Sequence, residues 1–150
     1  MHGPAKIAGF RRKNRFIRLT PIPLMLLGAW LGAANAAALD RFAALSMIES
    51  GDDDLAHGGH TEVSRFQIRS EVWQQATNLP LSEATNAAVA LTVAQLVARQ
   101  RCQNFEKNFG RSPTDFEFYV LWNSPAQINN PGRVVRERAQ RFVNLVQKPD

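Results

Sequence analysis

The positive charge of this chain is concentrated at one end. Six of its eighteen lysines and arginines lie before residue 20, and no acidic residue precedes Asp40. Residues 37–150 contain twelve basic and thirteen acidic side chains, a net charge of −1. The pI near 10.1 is therefore a property of a cationic leader, and the nearly neutral remainder gives no indication of a nucleic-acid partner. The basic residues of the leader are Lys6, Arg11, Arg12, Lys13, Arg15 and Arg18.

The leader has the organisation of a secretory signal. An apolar stretch, IPLMLLGAWLGAA at residues 22–34, follows the basic segment, and Ala34-Asn35-Ala36 supplies a small-residue cleavage site. About 20 apolar residues are needed to span a bilayer, so this stretch predicts contact with a membrane only during export. We expect a signal peptide over residues 1–36 and a product in the periplasm, the cell envelope or the medium. Arg11-Arg12 leaves both general and twin-arginine export open.

Residues 37–150 are long enough for one domain with one core. Their only cysteine is Cys102, so no internal disulfide can form and the fold depends on packing. We expect Cys102 to be a buried small hydrophobe, and the domain to be a monomer.

Apolar residues at three- and four-residue spacing predict a mainly α domain. The third predicted helix has the widest apolar face, and we expect it to be the central, most buried one. On the last predicted helix, Arg133, Arg136, Arg138 and Arg141 lie opposite the apolar stripe and are expected to be solvated. Helices are predicted over residues 39–50, 70–75, 82–109, 113–122 and 133–147, with a loop or a small irregular hairpin over residues 51–63.

Capping residues set the expected helix ends. Asp40 supports the start of the first helix, and Gly51 follows its end. Gly110 ends the third helix. Ser112-Pro113 predicts the start of the fourth, with serine at the cap and proline at the first helical position.

Glu49 is the informative residue of the first helix. It shares a face with Phe42 and Leu45, and that face is apolar. If the helix frays after Ile48, Glu49 reaches water. If Glu49 lies in a cleft instead, desolvation raises its pKa and lets it donate a proton near neutral pH. The helix pattern alone leaves both outcomes open.

The surrounding sequence resembles the soluble lytic transglycosylases, which share a lysozyme-like core with the goose-type lysozymes. The segment ALSMIESGDDDLAHGGHTEVSRFQI at residues 44–68 carries Glu49-Ser50 and, after a loop, Gln67-Ile68. In the family, a helix ends in Glu-Ser, and a loop leads to Gln-Ile or Gln-Leu. The family's later Tyr-Asn pair has Trp122-Asn123 at the corresponding position here.

The resemblance implies a small helical, lysozyme-like domain that cleaves peptidoglycan with a single carboxylate. Glu49 would be the catalytic acid/base, cleaving between N-acetylmuramic acid and N-acetylglucosamine. The product would carry a 1,6-anhydro ring, closed by the muramoyl C6 hydroxyl. The resemblance also suggests substrate-binding roles for Ser50, Ser64, Gln67, Trp122 and Asn123.

The chain departs from the family pattern at three places. One is His57-Gly58, in the loop region where the family often carries a serine. Thr61-Glu62-Val63-Ser64 stands where the family has a glycine-rich segment, and Trp122 lacks the hydroxyl of the family's tyrosine. Two alternatives stay open, a non-catalytic peptidoglycan-binding relative and a hydrolysing muramidase. The muramidase would need a second carboxylate, for which the candidates are Asp52, Asp53, Asp54 and Glu62; otherwise the Asp run is a solvated loop.

Other chemistries find little support in the sequence. His57 and His60 near Asp52 and Asp54 fit no common zinc spacing, and the Asp run lacks the glycine and distal glutamate of an EF-hand loop. There is no glycine-rich phosphate loop and no nucleophile elbow. We therefore expect no metal and no cofactor, with peptidoglycan glycan strands as the partner.

Overall fold

The computed structural model describes residues 38–147, so the predicted signal peptide over residues 1–36 lies outside the described residues. The described part is mainly helical with a small two-stranded sheet, and the mainly α prediction is confirmed. Within residues 38–147, no helix has the length and apolar character needed to cross a membrane.

The first helix, α1, spans Arg41–Glu49 and is capped by Asp40. The Asp40 carboxylate accepts hydrogen bonds from the backbone N–H groups of Phe42, at 2.8 Å, and Ala43, at 3.0 Å. After Ser50, Gly51 adopts a left-handed conformation with φ of +70°, which glycine permits at little steric cost. Asp40 therefore caps the start of α1 and Gly51 follows its end, as predicted, and the helix remains regular through Glu49.

A short antiparallel hairpin follows, formed by β1 (Glu62–Val63) and β2 (Ile68–Arg69). The preceding loop is attached to the hairpin by Arg65, which contacts Asp54 with Nε–Oδ1 at 2.6 Å and Nη2–Oδ2 at 2.9 Å. Asp52 lies 3.3 Å from Arg65 Nη1 and also accepts a hydrogen bond from Ser46. Asp52 and Asp54 thus hold the loop in place and differ from the freely solvated run expected from the sequence.

Helix α2 spans Ser70–Ala76, and the long third helix is shorter than predicted. A 3₁₀ turn occupies Leu81–Thr85, and α3 begins only at Ala87, spanning Ala87–Phe109. The reason is Asn86, whose side-chain oxygen accepts from the N–H groups of Ala88 and Val89 and caps a new helix. Gly110, with φ of +69°, ends α3 as predicted.

Helix α4 spans Asp115–Asn123 and begins later than predicted. Thr114 is the cap, because its hydroxyl accepts from the Glu117 N–H while the Glu117 carboxylate accepts from the Thr114 N–H. This reciprocal pair satisfies two free backbone donors at once. Asp115 lies three residues after Ser112, but its carboxylate accepts from Arg41, and the Ser112 hydroxyl donates to Glu106. The prediction of Ser112 as the cap is wrong.

The core centres on α4, which packs against both α3 and α5 (Arg133–Val146). Five consecutive residues of α4, from Phe118 to Trp122, are buried, whereas on α3 Leu91 is 36% exposed and Leu96 is 42% exposed. The most buried helix is therefore α4, and the expectation for the third helix is wrong. A 3₁₀ turn at Pro125–Gln127 links α4 to α5, which contributes Ala139 and Phe142 to the core.

Candidate active site

Glu49 ends α1 at the point where that helix approaches α4. The residue is half-buried, and its carboxylate accepts a hydrogen bond from the hydroxyl of Tyr119, with Oη–Oε1 at 2.8 Å. Tyr119 is itself buried within α4, so this bond fixes one oxygen of the carboxylate. The structure therefore places Glu49 against the core, and the helix does not fray before it.

Burial raises the pKa of Glu49 above the 4.5 ordinary for a glutamate. The Tyr119 hydroxyl, the positive charge of Arg138 and the Asn123 amide oppose that rise, because each favours the ionised carboxylate. The negative charge of Glu62 adds to the rise. The net effect is a carboxyl group that retains its proton at a higher pH than an exposed glutamate, which a general acid requires.

Glu49 lies in the wall of an open groove of about 730 Å³. This volume is in the range typical of ligand-binding clefts. The groove combines residues from α1, the hairpin, α2, α3, α4 and α5. Four of the residues singled out from the sequence line it together, namely Glu49, Gln67, Trp122 and Asn123.

Gln67 is held in the groove by the loop before the hairpin. Its backbone has φ of +49°, and its side-chain Nε2 donates to the carbonyls of Ser64, at 3.0 Å, and Ala56, at 3.3 Å. Since the nitrogen is used by the loop, Oε1 is the atom left to accept from a ligand. Gly58 permits this arrangement, because a Cβ there would lie 2.6 Å from Gln67 Oε1 and 2.0 Å from Glu62 Oε2.

Trp122 and Asn123 reach the groove from the end of α4. The Trp122 indole N–H donates to the Phe66 carbonyl at 3.3 Å, and only 7% of the residue is exposed. The guanidinium of Arg101 lies 5.4 Å from its ring centroid, so one face of the indole is already covered. The substrate-binding role predicted for Trp122 would have to use what remains exposed of the ring.

Ser50 and Ser64 do not line the groove. The Ser50 hydroxyl donates to the Arg65 carbonyl at 2.9 Å and accepts from the Asp53 N–H. Ser64 is 1% exposed, and its hydroxyl accepts from the Phe66 N–H at 3.3 Å. Both serines support the loop that carries Gln67.

Two residues around Glu49 were not among the predicted site residues. Tyr119 is the only tyrosine of the chain and lies one helical turn before Asn123, on the same face of α4, which is a signal that could have been used. Arg138 was assigned to a solvated face, yet it lines the groove while remaining exposed. Of the four carboxylates considered as partners for Glu49, only Glu62 lines the groove.

Searches for similar proteins found no matching family model, curated protein or solved structure. Among residues 38–147, no group of three His, Cys, Asp or Glu side chains is arranged to hold a metal ion.

We expect Tyr119→Phe to raise the pKa of Glu49, because the change removes a hydrogen bond that stabilises the ionised carboxylate. The ring remains, so the core around it is conserved. Carboxyl ¹³C chemical shifts followed against pH measure the effect directly. Glu117, whose pKa is lowered to about 2 chiefly by Arg111, is the internal control and should be unaffected. An unchanged or lower pKa for Glu49 would mean that Tyr119 does not stabilise its charge.

Proposed function

We propose that this chain is a divergent lytic transglycosylase with a lysozyme-like core, in which Glu49 is the single acid/base. The observation that carries the proposal is the carboxyl group of Glu49, held by Tyr119 in the wall of an open groove, with its pKa raised by burial. A general acid of this kind is needed to cleave a glycosidic bond near neutral pH.

The proposed reaction begins with protonated Glu49. Because the Tyr119 hydroxyl donates to Oε1, the proton is carried on Oε2. Glu49 gives this proton to the oxygen that links N-acetylmuramic acid to N-acetylglucosamine, and the bond from the muramoyl C1 to that oxygen breaks. The resulting carboxylate takes the proton of the muramoyl C6 hydroxyl, whose oxygen bonds to C1. The 1,6-anhydro ring closes, and Glu49 is again protonated.

Glycan recognition would use the polar groups beside Glu49. Gln67 Oε1 is a free acceptor suited to an acetamido N–H, and the Asn123 amide can donate or accept. Both groups are neutral, as a largely uncharged sugar strand requires. The proposal includes export to the cell envelope, because peptidoglycan lies in that compartment. It also includes action as a monomer.

A second candidate is a hydrolysing muramidase, and Glu62 favours it. Glu62 lies on β1 in the same groove and interacts electrostatically with Glu49. A second carboxylate across a cleft can activate water in an inverting hydrolysis. Glu62 also accepts a hydrogen bond from the His60 N–H at 3.2 Å, so a role in holding the loop is its other use.

We expect sacculi digested by the purified protein to release muropeptides with 1,6-anhydro ends, detected by mass spectrometry. These products are lighter by one water than the reducing-end products of a muramidase. Glu62→Gln separates the two candidates further, because it should preserve transglycosylation and abolish hydrolysis. Reducing ends that disappear in Glu62→Gln would establish the muramidase. Binding to sacculi with no released product would establish a non-catalytic relative and contradict both candidates.

A further inference from the structure

Two arginines line the groove away from the Glu49–Tyr119 pair. Arg69 ends β2, and its side chain is 62% exposed. Arg101 lies on α3, and its Nη1 donates to the carbonyl oxygens of Leu121, at 3.1 Å, and Trp122. We refer to Arg69 and Arg101 together as the arginine pair. Both belong to the groove of Glu49, but neither has a role in the proton transfers described above.

The charge of Arg101 is only partly compensated. Burial lowers the pKa of the Arg101 guanidinium, and the positive charge of Arg69, which lines the same groove, lowers it further. Among residues 38–147, Arg101 forms no ion pair with a carboxylate, and only its Nη1 makes hydrogen bonds. The Leu121 and Trp122 carbonyls carry only partial charge, and the cation–π contact with the Trp122 ring supplies no net negative charge. A desolvated cation without a counter-ion is unfavourable unless a ligand supplies one.

Arg69 is also poorly neutralised. Its Nε lies 3.9 Å from Glu62 Oε1, which is too long for a hydrogen bond. The hydrogen bonds to the Leu121 and Trp122 carbonyls cap the end of α4, and this structural role accounts for the position of Arg101. It does not account for Arg69, which contacts neither carbonyl. Two guanidinium groups that line one groove, with donors unused, form a binding arrangement for a planar anion such as a carboxylate.

We propose that the arginine pair binds a carboxylate carried by the muramoyl residue of the glycan strand. The identity of the ligand rests on the proposed function. N-acetylglucosamine is uncharged, so only the muramoyl side of the strand can supply the anion. This anion could come from two sources, the lactyl carboxylate of a peptide-free strand or a carboxylate of an attached peptide. The subsite would fix which sugar faces the arginine pair and so the direction in which the strand lies.

The test measures binding of glycans by isothermal titration calorimetry, using the full chain with Glu49→Gln so that no ligand is consumed. Four ligands are compared: a peptide-free muramoyl-glucosamine tetrasaccharide, its lactyl methyl ester, the peptide-bearing form, and N-acetylchitotetraose. We expect the free acid to bind about tenfold more tightly than the ester or the chitotetraose, as for a charge-assisted hydrogen bond. The peptide-bearing form identifies the source of the anion. If the free acid binds more tightly than the ester and the peptide-bearing form matches the ester, the anion is the lactyl carboxylate. If the peptide-bearing form binds more tightly than both the free acid and the ester, the anion belongs to the peptide. Equally tight binding of the free acid and the peptide-bearing form means that either carboxylate can occupy the subsite.

Adding Arg69→Gln should remove most of the tenfold preference, and this exposed residue can be changed without disturbing the core. Arg99→Gln is the matched control, because Arg99 is an exposed arginine of α3 outside the groove and should leave the preference intact. Equal affinities for the free acid, the ester and the peptide-bearing form, or no binding of any ligand, would overturn the subsite. A carboxylate preference in a protein that cleaves no sacculi would uphold the subsite while contradicting the proposed reaction.

Discussion

Glu49→Gln is expected to lower the rate of peptidoglycan cleavage by about 10²–10⁴-fold, the range found when a general acid/base is removed. Glutamine has nearly the shape of glutamate and can still accept the Tyr119 hydrogen bond through its amide oxygen. It cannot give a proton to the glycosidic oxygen or take one from the C6 hydroxyl, so both halves of the proposed reaction fail. The release of soluble muropeptides from sacculi, followed over time, gives the rate.

Glu71→Gln is the matched control, since Glu71 is an exposed glutamate of α2 outside the groove and should leave the rate unchanged. The melting temperature, Tm, shows whether the Glu49→Gln protein remains folded. Because burial raises the Glu49 pKa in the folded protein, the ionised carboxylate destabilises the fold above that pKa and has no such effect below the unfolded value near 4.5. The Tm of Glu49→Gln should therefore exceed that of wild type at pH 8, with a smaller difference at pH 4. A folded Glu49→Gln that cleaves sacculi at the wild-type rate would contradict the assignment of Glu49.

Local signals in the sequence were sufficient to predict most of the helices. Asp40 and Gly110 act within one turn of their own helices, and both caps were predicted correctly. The two errors at helix starts share one cause. Asn86 lies within an apolar pattern that reads as a continuous helix, and Thr114 follows a Ser-Pro pair that is itself a plausible start. In each case a competing side-chain hydrogen bond decided the boundary.

The candidate site depends on contacts that no local pattern encodes. Gln67, Trp122 and Asn123 were proposed from their order along the chain, and they line one groove with Glu49. The hydrogen bond between Tyr119 and Glu49 joins residues 70 positions apart, and it forms because α1 packs beside the α4–α5 pair. The sequence offered only the weaker clue that Glu49 lies on an apolar face.

Trp73→Ala is expected to destabilise the domain by about 3–5 kcal/mol, which is typical of truncating a large buried aromatic. Trp73 lies on α2, is 0% exposed, and its indole N–H donates to the Leu79 carbonyl at 2.9 Å. Domains of this size have a total unfolding free energy of about 5–15 kcal/mol, so the loss is a large part of the whole. No internal disulfide compensates, because Cys102 is the chain's only cysteine. Urea-induced unfolding followed by circular dichroism measures the change.

Trp73→Ala should also disturb the shape of the groove, because three of its lining residues lie directly before α2 or within it. These residues are Ile68, Arg69 and Val72. Trp73→Phe separates the contribution of the buried ring volume from that of the hydrogen bond. It retains most of the buried volume and loses the hydrogen bond to Leu79, so about 1–2 kcal/mol is expected. Val134→Ala, at an exposed position of α5, should change stability by less than about 0.5 kcal/mol. A Trp73→Ala protein as stable as Val134→Ala would mean that α2 does not depend on this side chain, and the groove wall would need another support.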